Sequence, residues 1–144
     1  WLVKFYEELF GELETYIRHL AWLHACPKGE EFSRQKTFED ENHDIGMPDC
    51  RAHYILEYLF DIGLTLGENA LNHTEIKSWQ QNTGVELQPW ESRFLKRLSV
   101  IYLGEFKESS DSEKETAWED APHYMRMSYR KMLKSKESIR KLAE

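Results

Sequence analysis

Two short runs in this 144-residue chain contain the residue types that bind transition metals: His24 with Cys26, and Cys50 with His53, separated by 23 residues. Two thiolates and two imidazoles make a complete tetrahedral set for zinc. The spacing nevertheless fits no standard finger, and a His-x-Cys half-site is unusual. The expectation is ordinary buried cysteines and helix-end histidines, with no metal bound. His43, Asp44 and Asp49 add ligand types without a partner motif. Catalysis has less support still. No nucleophile is paired with a base, no glycine-rich run would cradle a phosphate, and the many carboxylates fall at the spacing of wet helix faces. His19 and His24 are five residues apart, which does not place them on one helix face. The chain is expected to be non-enzymatic and to carry no cofactor.

Charge adds a different kind of candidate. The net charge of -7 hides an uneven distribution. Residues 1–49 hold 5 Lys/Arg against 11 Asp/Glu, residues 50–123 hold 7 against 13, and residues 124–144 hold 7 against 2. An acidic body repels phosphate, which argues against nucleic acid as a partner. In the tail, Arg126, Arg130, Lys131, Lys134, Lys136, Arg140 and Lys141 alternate with Met125, Tyr129 and Met132 in the pattern of a basic amphipathic helix. The plain reading of such a helix is a solvated face beside a thin core stripe. Its functional reading is a contact for an acidic protein, with Trp118, Arg126, Arg130 and Lys134 as the contact residues. Trp1, Trp22 and Trp118 are expected at helix ends or second faces, where an uncovered indole can touch a partner.

These candidates are positioned by helices. The length suits one domain, and sparse Gly and Pro with dispersed β-branched residues favour an all-α fold. Leu2, Phe5, Tyr6, Leu9, Leu13, Tyr16, Ile17, Leu20 and Leu23 recur at three and four residues, so a first helix should run to about His24 and stop before Pro27. Gly11 inside it costs about 1 kcal/mol relative to alanine. Residues 27–49 lack periodicity and are expected to form a long, mobile connection that Phe32 and Phe38 can anchor. A second helix is expected from about Cys50 to Leu66, apolar nearly all round and central to the core. Asn72 or Thr74 can cap a short helix from about Glu75 to Asn82, which Gly84 ends. Pro89 and Glu91 suit the first turn of the next helix, whose apolar face is Trp90, Phe94, Leu98, Ile101, Tyr102 and Phe106. Glu108–Glu115 is polar and acidic and should be a solvated linker, and a last helix should run from about Asp120 or Ala121 to Leu142. The resulting division is a helical core over 1–109, a linker over 110–119 and a basic C-terminal helix over 120–144, giving a compact bundle of about five helices.

The two cysteines are too few for a disulfide scaffold, Glu7, Glu8, Glu12 and Glu14 interrupt any signal-like start, and no run of 18 apolar residues is present. A reducing cytoplasm and no membrane contact are expected. The chain begins at Trp1, and is expected to be a trimmed or partial form of a longer polypeptide.

One block is specific enough to point further. Ile76–Trp79, then Thr83-Gly84-Val85-Glu86-Leu87-Gln88-Pro89-Trp90-Glu91, then Leu95-Lys96-Arg97-Leu98 and Tyr102-Leu103 resemble the central pattern of the tail assembly chaperones of long-tailed bacteriophages. The likeness spans Tyr54 to Glu105. In that family a short helix with an aromatic residue precedes a Thr-Gly turn, a Pro-Trp-Glu helix start and a Leu, Arg, Leu and Tyr-Leu ladder. On this resemblance Trp79, Gly84, Pro89, Trp90, Glu91, Leu98 and Tyr102 form the structural motif. The implied role is to hold the tape-measure protein, a long helical rod, soluble and extended in the host cytoplasm while tail tube subunits are recruited. The family also makes such proteins as frameshift extensions of a shorter one. Two other classes compete with this reading: a structural virion component of the connector or terminator type, and a helical regulatory adaptor that binds one bacterial protein.

Overall fold

Apolar residues at helical spacing, and a proline that forbids continuation, set the first element: α1 runs Leu2–His24 and passes into extended backbone at Ala25, two residues before Pro27. The computed structural model describes residues 1–40, 46–111 and 137–143. Among them it shows α2 (Arg34–Asp40), α3 (His53–Ile62), α4 (His73–Thr83), α5 (Pro89–Asp111) and a helical segment α6 over residues 137–143, with no strand. The all-α bundle expected from composition is the observed fold.

The boundaries of α4 and α5 follow local chemistry. The Asn72 side chain accepts the Glu75 N–H at 2.9 Å and caps α4, while Gly84 takes a left-handed conformation (φ 76°) to close it. Pro89 opens α5, and Glu91 reaches back to accept the Gln88 N–H at 2.8 Å. This reciprocal bond satisfies one of the backbone donors that a helix start leaves open.

Three expectations are corrected. The stretch 27–49 contains α2, whose one-sided anchor is Phe38, fully buried, while Phe32 stays exposed. α3 is shorter than the apolar run, because Gly63 (φ 114°) stops it and Leu66 then pairs with Asn69 in an isolated bridge. Ile55, Leu56 and Leu59 of α3 are buried in the core, while Tyr54 and Phe60 are exposed. Finally, α5 continues through Glu108 to Asp111, into residues read as a linker, because Ser109 is buried against α2.

The frame of the molecule is the pair α1 and α5, 23 residues each. Tyr6 meets Trp90, Phe10 meets Phe94, and Arg18 bonds Glu105, so the two helices run side by side and parallel. Leu13, Ile17, Leu95 and Leu98 are buried between them, and Ile55, Leu56 and Leu59 of α3 with Ile76 of α4 complete the core. Ser99 fastens the α3–α4 connection to this frame: its hydroxyl donates to the Leu64 carbonyl at 2.7 Å and accepts the Leu71 N–H at 2.8 Å. Glu12 holds the start of α3 in the same way, accepting both the backbone N–H and the guanidinium of Arg51. The Arg51 hydrogen bonds hold the Glu12 carboxyl below its ordinary range.

Parallel helices place their C-terminal carbonyls, and hence the negative ends of their dipoles, together. Arg34 of α2 occupies that place. Its guanidinium donates to the carbonyl of Trp22 in the last turns of α1 (3.2 Å) and of Ser109 near the end of α5 (2.9 Å), and it lies 5.0 Å from the Trp22 ring centre. Trp22, Leu23 and Phe38 form a small second cluster there. Trp22, expected on an uncovered face, is therefore 1% exposed.

Candidate functional site

At the opposite end, where α1 and α5 both begin, the helix pair is open. A recess of about 470 Å³ lies between their first halves, lined by Val3, Tyr6, Glu7, Phe10, Gly11, Glu14, Trp90, Arg93, Phe94 and Arg97. Its floor is aromatic. Phe10 and Phe94 are buried with ring centres 5.0 Å apart, and the half-buried Tyr6 and Trp90 extend the same surface, also at 5.0 Å. Trp90 also meets Phe94 edge-on at 5.2 Å. These rings are placed by the spacing of four residues on each helix, which stacks successive side chains on one face. Val3, on the lip, is 71% exposed, while Trp1 and Phe5 line a separate hollow with Lys4 and Glu8.

The rim is charged and Arg97 is bound to the floor, its guanidinium 3.8 Å from the centre of the Phe10 ring. Stacking of this kind leaves the in-plane N–H donors of an arginine available to a carboxylate. Glu14 accepts from Arg18 at 2.8 Å, which also bonds Glu105 and so ties the helices together below the recess. Aromatic bodies in a charged rim are the composition of a protein-binding surface.

The residues singled out from sequence fall in several places. Trp79 is half-buried, donates its indole N–H to Asp61 at 2.7 Å and packs on Tyr58. Gly84 and Pro89 end and start helices as described, Leu98 is buried in the core, and Tyr102 shares a 2.8 Å hydrogen bond with His24. Glu91 accepts a second bond, from the Tyr54 hydroxyl, at 2.7 Å; burial, and then this bond, push the Tyr54 hydroxyl far above its ordinary range. Of that motif, Trp90 lines the recess. Trp118, Arg126, Arg130 and Lys134 lie outside the described residues.

The metal-type residues are not brought together. His24 is engaged with Tyr102, Cys26 is exposed rather than buried as expected, because it follows the end of α1 beside Pro27, and His53 sits edge-on to Tyr16 and 3.7 Å from Glu57. Among the described residues no group of three or more His, Cys, Asp or Glu side chains converges. Burial raises the Cys50 thiol above its usual range, which disfavours the thiolate. Burial also lowers His19 and His24 below the ordinary imidazole range.

No family model, curated protein or solved structure matches this chain. The recess was hidden in the sequence because its walls read as a wet helix face, Tyr6, Trp90 and Phe94 read as apolar faces, and Phe10 falls outside the first helix's apolar stripe. No sequence signal marks it, since Val3 and Glu7 become a wall beside Tyr6 and Phe10 only when α5 lies parallel to α1.

Proposed function

We propose that this chain is a non-enzymatic assembly chaperone that seats an apolar stripe of a partner helix in the recess between α1 and α5. The observation that carries the reading is the recess at the paired helix starts, where half-buried Tyr6 and Trp90 and exposed Val3 present apolar surface above buried Phe10 and Phe94. A groove between two helices is the surface that helix-in-groove recognition uses. The resemblance of the Tyr54–Glu105 block to phage tail assembly chaperones makes the tape-measure protein, with tail tube subunits, the proposed partner, and the host cytoplasm the proposed place. No helix of the described residues is long and apolar enough to cross a membrane. The basic tail, through Trp118, Arg126, Arg130 and Lys134, is proposed as a second contact.

The test is a pull-down with the tagged chain from cells expressing the genes that neighbour its own, with purified virions probed in parallel. The expected result is retention of tape-measure or tube protein, its loss on Trp90→Ala with Val3→Asp, and absence of the chain from virions. Presence in virions would make it a structural component instead. Capture of one host protein and no tail protein would favour an adaptor.

A further inference from the structure

The two walls of the recess carry opposite charge, and one of them is notched. The α1 wall is the line Val3, Glu7, Gly11, Glu14, while the α5 wall is Arg93 and Arg97. Glu7, Arg93 and Arg97 are exposed, above a floor of buried Phe10 and Phe94. Gly11 stands between the two carboxylates, and a Cβ at this position would meet nothing within 4 Å. No contact within the described residues therefore calls for glycine, and its helical backbone does not either. What glycine does provide is a low point in the wall, where another backbone can come close.

We infer, resting on the function proposed above, that the occupant is an amphipathic helix with a basic edge toward Glu7 and Glu14, an acidic edge toward Arg93 and Arg97, and its closest approach to α1 at Gly11. The line from Val3 to Glu14 rises about 16 Å at about 1.5 Å per residue, enough for about three turns of the incoming helix. Its apolar stripe rests on the half-buried Tyr6 and Trp90 beside the exposed Val3, above the buried Phe10 and Phe94. Because the walls differ in sign, reversing the helix end for end would set like charges against each other, so the rim fixes its direction as well as its register.

The test uses three stapled helical peptides with one common leucine stripe: one edge Lys and one edge Glu, both edges Lys, or both edges Glu. Each is titrated into the full chain by isothermal calorimetry. The mixed-edge peptide is expected to bind about five-fold more tightly than either uniform one, the scale of a few rim ion pairs. Glu7→Lys with Glu14→Lys makes both walls basic and should move the preference to the all-Glu peptide. Gly11→Leu should weaken every peptide about ten-fold or more without lowering the thermal midpoint, because leucine is the better helix former and has open space above it. Equal binding of all three peptides, unaltered by the double substitution, would overturn the charge pattern while leaving the groove in use. Binding of none would overturn the groove reading as well. Self-association of the chain that Gly11→Leu abolishes would show a second copy as the occupant and overturn the inference.

Discussion

The two ends of the α1–α5 pair solve the same packing problem in opposite ways. At the end where both helices finish, α2 lies across them: Phe38 fills the space beside Trp22, and Arg34 meets the carbonyls of Trp22 and Ser109. At the end where both begin, Phe10, Phe94, Tyr6 and Trp90 line a recess, and Val3 on its lip is 71% exposed. The parallel arrangement makes this contrast electrostatic as well as steric. Converging C-termini call for a buried cation, and seven residues of α2 supply both the cation and the apolar cover. The lesson is that a cover of seven residues suffices to close one end of the pair, while the other end keeps Val3 exposed and Tyr6 and Trp90 half-buried with no element of the described residues laid across them.

The sharpest way to break that contrast is to remove the cover. Phe38→Ala should cost about 3–5 kcal/mol in urea unfolding, as expected for a fully buried aromatic side chain, whereas Val3→Ala at the open end should change stability by less than about 0.5 kcal/mol. Similar losses at the two ends would mean that they do not differ in the way described. Next in size is Ser99→Ala, which strands the buried Leu71 N–H and the Leu64 carbonyl and should cost about 2–3 kcal/mol. Asn72→Ala removes the α4 cap and should cost about 1 kcal/mol. A smaller effect concerns pH. His19 and His24 lie in the second half of α1, and neither lines the recess. The His19 Nδ1 lies 2.6 Å from the Thr15 carbonyl, which can only accept, so that nitrogen carries its hydrogen. Burial lowers both imidazoles in the folded state, so the unfolded chain takes up protons first. Their contribution is present above about pH 6.5 and is lost as pH falls below it towards the depressed native values. The urea midpoint should therefore drop between neutral pH and pH 5.5, and the drop should shrink in His24→Gln.

The helices that begin and end on local chemistry were legible in the sequence. Asn72, Gly84 and Pro89 each act within one turn of their own position, so α4 and the start of α5 could be read directly. What escaped was set by distant contacts. α2 has one apolar anchor, Phe38, and its other buried residue is an arginine whose partners are 12 and 75 residues away. Trp22 is buried by that same element, which is why an indole near a helix end was misread as exposed. The run from Leu64 to Leu66 was apolar enough for helix, but Gly63 at φ 114° ends α3 before it. The recess was less legible still. Periodicity assigned Glu7 and Glu14 to a wet face and registered Gly11 only as a helix defect, because the parallel pairing with α5 that turns this face into a wall is a property of the whole fold.

Hydrogen exchange of the chain alone and in the presence of the proposed tape-measure partner would decide between the two ends. Amides slowed by the partner should cluster along residues 3–14 and 90–97, with no change in Arg34–Asp40. Protection concentrated on α2, or none along the open end of α1 and α5, would contradict the proposed docking.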